Sequence, residues 1–213
     1  MNEDNDCIWP TRGKQLFVEG GNPDEFSHIG WGDMLTQFNG YASGYKFAAD
    51  QLIEKFTPTV QHNILDTILF PICFLYRQYL ELTMKSILLQ YSEITASEIK
   101  EIFKNINHNL PQMWNNIKPI LSNSELKLDG KDILIVEEYI NQFHRMDKSS
   151  YNFRYPVTKE LATNFTSEKR INLPNLRIRM DELESFFIGC MGMLDQISGL
   201  KNTQTEEFLL HLD

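Results

Sequence analysis

Residues 60 to 91 form one long segment that is apolar on nearly every helical face, yet it carries Arg77, Glu81 and Lys85 at i, i+4 spacing. A helix that is apolar all round must sit at the centre of a domain, with other helices packed against it. Asp66, Arg77 and Glu81 interrupt its apolar core, "ILDTILFPICFLYRQYLEL", so it reads as a buried helix and not a membrane span. Pro71 has no N–H to donate and is expected to kink it.

The rest of the chain supplies the partners for such a helix. Leu35, Phe38, Ala42, Tyr45, Ala49, Leu52 and Phe56 step by three and four residues, which predicts a helix over 31–56. Gly40 and Gly44 weaken its first half by about 1 kcal/mol each relative to alanine, unless they admit a close helix contact. Thr95 and Glu98 form a capping-box signature ahead of Ile99, Ile102, Phe103 and Ile106. Asn109 and Pro111 open a short fourth helix whose apolar face is Met113, Trp114, Ile117 and Leu121. A fifth is expected over 131–147, with Ile133, Val136, Ile140 and Phe143 as its stripe. Residues 148–174 read as irregular, and a last long helix is expected over 176–200 on Leu183, Phe187, Cys190, Leu194 and Ile197.

No series of alternating strands accompanies these helices, so the expected class is an all-α bundle. Residues 1–28 lack a sustained period and read as an irregular N-terminal arm, in which "KQLFVEG" is a candidate short strand. The helical domain is expected over 29–200, and 201–213 as a C-terminal tail that could add a short helix to a neighbour.

Charge and cysteine usage narrow the function classes. The net charge of −9 disfavours broad attraction to nucleic acid or to an anionic membrane, so any polyanion must meet a local basic patch. The stretch "KRINLPNLRIR", residues 169–179, is such a patch, although a solvated face is the simpler reading. Cys7, Cys73 and Cys190 are odd in number and widely spaced. Cys73 and Cys190 lie in apolar patterns and are expected to be buried thiols, in keeping with a reducing cytoplasm. No metal-ligand spacing, phosphate-binding glycine loop or nucleophile elbow is present, so neither metal nor cofactor is expected.

Arg77 and Glu81 fall among Phe70, Cys73, Phe74, Met84 and Leu88 on the helical wheel. An unpaired buried charge is too costly to persist. A mutual pair is the simplest answer, but one carboxylate cannot satisfy the five donors of an arginine. Asp147, at the end of the fifth helix, is the candidate second acceptor. Two readings stay open: a network that only fixes helix register, and the wall of a polar ligand pocket. His108 stands at a helix junction and suits a capping or packing role. His144, near a helix C-terminus, is expected to be exposed, as is His108. His28, His62 and His211 give no pattern.

Three further pieces line up in order: "YLELTMKSILL" at 79–89, "HNLPQMW" at 108–114 and "FRYP" at 153–156. This order resembles the HEPN domain superfamily, whose members often show an apolar "LKALL"-like helix, a "THDL"-like helix start and an "RYP" element. The resemblance spans roughly residues 35 to 200. It implies a helical bundle, frequently a homodimer, of the kind found as RNases or RNA-binding parts of toxin–antitoxin and phage-defence systems, with other members binding nucleotides. It carries over Lys85, His108, Arg154 and Tyr155 as motif positions.

The departure is specific. Nuclease members of the family have an arginine followed after four to six residues by a histidine. None of Arg12, Arg77, Arg145, Arg154, Arg170, Arg177 and Arg179 is followed by a histidine at that spacing. The resemblance therefore implies a cytoplasmic RNA- or nucleotide-binding protein, with Lys85, Arg154 and Tyr155 as the binding residues and a cognate antitoxin or defence partner. The alternatives are a metal-independent RNase with a rearranged site of Arg77, Glu81, His108 and Asp147 joined by Arg154, or a non-catalytic dimeric scaffold.

Overall fold

The computed structural model describes residues 9–59, 62–126 and 128–210. Cys7, His211 and the start of the expected second helix at 60–61 lie outside the described residues. The chain divides into two units with the break between Trp31 and Gly32, three residues beyond the expected boundary.

In the first unit, the described residues form turns and one 3-10 turn, Pro23–Glu25, capped by the Asn22 side chain. The stretch "KQLFVEG" is not a strand: it has bends only, and Leu16, Phe17 and Val18 are exposed. A strand needs a partner for its backbone N–H and C=O groups, and none of the described residues offers one.

The second unit is all-α. Its helices are α1 (Met34–Phe56), α2 (His62–Tyr91), α3 (Ala96–Ile106), α4 (Leu110–Leu121), α5 (Gly130–Met146) and α6 (Leu173–Leu210). α1 begins three residues later than its apolar period suggested, because Asp33 caps it by accepting from the Thr36 N–H at 2.8 Å. Gly32 stands at φ 72°, and a Cβ there would lie 2.7 Å from Thr36 Cγ2. Gly44 serves no close contact, since a Cβ added to it would meet open space.

α2 is the central element, as its composition requires. Ile72, Tyr76, Leu80, Met84 and Ile87 have no exposed surface, and α1 packs against it most extensively. The helix runs unbroken through Pro71, whose ring faces solvent. The capping box on α3 is present in full. Asn109 caps α4 with Pro111 in the first turn, and Met113, Trp114, Ile117 and Leu121 are buried. Ile133, Val136 and Ile140 of α5 join the same core. Cys73 and Cys190 are buried free thiols, and burial pushes them up to about 12 and about 11.

α6 departs most from expectation. It starts at Leu173, where Asn172 accepts from the Asn175 N–H at 2.9 Å, and it continues to Leu210, well past the expected end at 200. Pro174 lies inside its first turn, where a missing N–H costs nothing. Between α5 and α6 the chain is irregular but ordered by its own bonds. Asn164 donates to the Tyr155 carbonyl at 2.6 Å, and Val157 pairs with Thr163 in one isolated bridge. Among the described residues, no helix is long and apolar enough to cross a membrane.

Candidate functional site

The buried charges of α2 do find partners where the sequence places them. Arg77 has no exposed side-chain surface. Its Nη1 donates to Glu81 Oε2 at 3.4 Å, its Nη2 donates to the His108 carbonyl, and its Nε lies 3.4 Å from Asp147 Oδ2. The last contact is an ion pair without hydrogen-bond alignment, so Arg77 Nε and Asp147 Oδ2 are both buried without a hydrogen-bond partner.

Asp147 closes α5. Its Oδ1 accepts from the backbone N–H groups of Tyr151 at 2.8 Å and Asn152 at 3.2 Å, which turns the chain sharply after the helix. Ser150 occupies φ 61° within that turn, and its hydroxyl accepts from Gln78 Nε2 at 2.9 Å. Arg77 thus ties three places together: its own helix, the α3–α4 junction and the end of α5.

Glu81 faces the outer side of the same cluster. Lys85 Nζ lies 2.7 Å from its Oε1, and His108 Nδ1 lies 3.1 Å from both carboxylate oxygens. Burial alone would raise the Glu81 pKa; the Lys85 ammonium and then His108 outweigh it, so the carboxyl is held below its ordinary range. A carboxylate can only accept, so His108 Nδ1 is the donor of this contact. The His108 side chain is 41% exposed and that of Lys85 16%.

The arrangement separates the expected residues by access. Arg77 and Asp147 have no exposed side-chain surface and can act on a substrate only by positioning other groups. The charges also cancel, with Arg77 and Lys85 against Glu81 and Asp147. Lys85 is occupied by Glu81 and lies 5.4 Å from the centre of the Phe103 ring. The His108 side chain is the most exposed of this group.

Arg154 and Tyr155 form a different surface. The Arg154 guanidinium lies 5.9 Å from the Phe74 ring centre and 5.7 Å from that of Tyr155. Its Nε donates to the Ser150 carbonyl, while its terminal nitrogens make no hydrogen bond among the described residues. The Tyr155 ring packs against Tyr151 with centres 4.6 Å apart and planes tilted by 32°, and Tyr155 is 48% exposed. The exposed Tyr155 ring, backed by the half-buried Tyr151 and flanked by the exposed Arg154, therefore faces outward on one short loop. Tyr151 was not singled out by its sequence context; its i, i+4 relation to Tyr155 is the signal, because both backbone turns in this loop close on the Tyr151 carbonyl at 3.0 Å.

His144 departs from its expected exposure. It is half-buried, its Nδ1 has no hydrogen-bond partner among the described residues, and burial followed by the nearby charges of Arg77 and Lys148 lowers its pKa.

A second buried charge cluster was not anticipated. Lys46 of α1 is 3% exposed, and its ammonium meets Asp50 Oδ2 at 2.8 Å, Asp181 Oδ1 at 2.6 Å and Glu184 Oε2 at 3.0 Å. Tyr76 Oη donates to Asp50 Oδ1 at 2.6 Å. This cluster fastens α1, α2 and α6 together. Among the described residues, no group of three or more histidine, cysteine, aspartate or glutamate side chains is placed to hold a metal ion.

Compared with known proteins, the chain matches no family model, no curated protein and no solved structure.

Proposed function

We propose that the chain is a HEPN-like protein of the toxin–antitoxin or phage-defence kind, and that it binds single-stranded RNA or a free nucleotide on the Tyr151–Tyr155–Arg154 surface. The supporting observation is the exposed Tyr155 ring, packed at a tilt against Tyr151 and flanked by a guanidinium whose terminal nitrogens make no hydrogen bond among the described residues. Proteins that hold single strands use this combination: a base stacks on the aromatic face, and the cation meets the phosphate. A local cation suffices for that contact in an acidic chain, provided the surface is small. Binding of a short fluorescent single-stranded RNA, and of adenosine monophosphate as the free-nucleotide probe, tests the reading. Loss of binding in Tyr155→Ala and Arg154→Ala, with helix content retained, is the expected result. Absence of binding by the folded wild-type chain would sink it.

One observation favours a second reading, in which the bound RNA is also cut. Glu81 holds the His108 ring through Nδ1, which orients Nε2, the nitrogen that a general base would use. Abstraction of a ribose 2′-hydroxyl proton by Nε2 would let that oxygen attack the adjacent phosphorus, expelling the 5′-oxygen. The test is cleavage of total RNA in EDTA, abolished by His108→Ala; no cleavage by a folded sample rejects the nuclease and leaves the binding reading intact.

A further inference from the structure

A cavity of about 570 Å³ separates part of α5 from α6, within the roughly 300–1,000 Å³ range of small-molecule sites. Its floor is apolar. Cys73 of α2 and Phe153 of the irregular segment line it, together with Met180 and Leu183 of α6, and all four are buried. Met146 and Met180 are unbranched, so this interior can adapt to apolar bodies of different shape.

The mouth has the opposite chemistry. Lys169 and Arg179 both line the cavity. Lys169 is exposed, and among the described residues its ammonium meets no carboxylate; its contact is Met146 Sδ at 3.9 Å, a weak acceptor. Arg179 is half committed. Its Nη2 lies 3.0 Å from Glu182 Oε1 and its Nη1 donates to Tyr139 Oη at 3.3 Å, but its Nε is buried without a hydrogen-bond partner among the described residues. A buried donor left unpaired is unfavourable, and an incoming acceptor would satisfy it. Asn172, Asn175 and Leu176 place the first turn of α6 at the same cavity, where the helix end adds partial positive charge. In a chain of net charge −9, the Lys169 ammonium and Arg179 Nε, two donors unanswered by an oxygen among the described residues, are a local feature and not inherited from composition.

We propose that this cavity binds an amphipathic anion, with an aliphatic or aromatic body on the floor and a single carboxylate or phosphate head at the Lys169–Arg179 mouth. This site is separate from the nucleotide surface and does not rest on that reading. A nucleoside monophosphate suits it poorly, because the polar base and ribose would meet the apolar side chains of Phe153, Met180 and Leu183.

Calorimetric titration of the full chain tests this with decanoate, decyl phosphate, 1-decanol, acetate, inorganic phosphate and adenosine monophosphate. Decanoate or decyl phosphate should bind one-to-one, at least about tenfold tighter than 1-decanol, since one charge-assisted head contact is worth that much. The tighter of the two identifies the head. Acetate and inorganic phosphate, lacking the body, should bind at least about a hundredfold more weakly. Lys169→Glu alters an exposed side chain and should weaken the preferred acid about tenfold without changing 1-decanol. Leu176→Trp narrows the cavity and should weaken both the acid and 1-decanol. No binding of either acid by a folded sample, equal affinity for 1-decanol, or tighter binding of adenosine monophosphate would overturn the proposal. So would acid binding indifferent to Lys169→Glu or to Leu176→Trp.

Discussion

Arg77 and Asp147 face each other at 3.4 Å with no part of either side chain exposed. One lies mid-way along α2 and the other ends α5, so the pair fixes how the central helix meets the irregular segment that follows α5. The same turn sets the Tyr151–Tyr155–Arg154 surface, because Asp147 Oδ1 holds the backbone of Tyr151 and Asn152.

Removing one member should therefore be costly. Arg77→Met leaves Asp147 buried without its cation, and a loss of about 3 kcal/mol is expected. Arg77→Met combined with Asp147→Asn should recover much of that loss, because asparagine still accepts the two backbone bonds without a buried charge. Urea denaturation measures both. A neutral or stabilising Arg77→Met would show that the pair contributes nothing to holding the turn.

Lys46→Met should destabilise by about 2 kcal/mol at pH 7, below the range for a fully buried pair because its partners are partly exposed. Burial alone would lower the Lys46 pKa, but Asp181, Asp50 and Glu184 outweigh it and hold it above its ordinary 10.5. The contribution is then complete below that pH and is lost only as the pH rises through the folded-state value. Thermal unfolding of wild type and variant at pH 7 and in more alkaline buffer reads this directly.

His144 gives a dependence at the other end of the scale. Burial first, then Arg77 and Lys148, depress its pKa below 6.5, so the unfolded chain takes up a proton that the folded chain resists. Its contribution is whole above pH 6.5 and falls as the pH drops through the folded-state value. His144→Gln should flatten stability against pH between about 5 and 7. A profile as steep as that of the wild type would place the titration elsewhere.

Gly44 sits inside α1 with open space where a Cβ would stand. Gly44→Ala should stabilise the fold by about 0.5–1 kcal/mol, through the lower backbone entropy of the unfolded chain. Chemical denaturation at unchanged slope is the check.

Local chemistry made the helices legible before the structure. The Thr95–Glu98 box, the Asn109 cap and the buried stripe of α4 all follow from spacing and recur as read, as does that of α5 except that Phe143 is only half-buried. The Arg77–Asp147 contact was legible for a different reason: a buried arginine demands acceptors, and Asp147 was near the end of a neighbouring helix. Lys46 was missed although it lies four residues after Ala42 and three before Ala49, on the buried stripe of α1. Its partners Asp181 and Glu184 come from α6, and no local pattern reports that meeting. The start of α6 could have been found from Asn172 and Pro174, a cap followed by proline in the first turn. The cavity at Lys169 could not, because a void is set by how far apart two helices settle. The strand expected over "KQLFVEG" failed for the same physical reason: pairing is non-local.

The central claim is that the Tyr151–Tyr155–Arg154 surface holds a nucleotide unit, and fluorescence anisotropy of a short single-stranded RNA tests it most directly. Tyr155→Ala should weaken binding by about 1–3 kcal/mol, the usual worth of one stacked base. Arg154→Gln should reduce the slope of log affinity against log salt by about 0.7, the loss of one phosphate contact. Both variants should keep the wild-type helix content. A folded wild-type chain that does not bind, or one whose affinity is the same in Tyr155→Ala, would contradict the account.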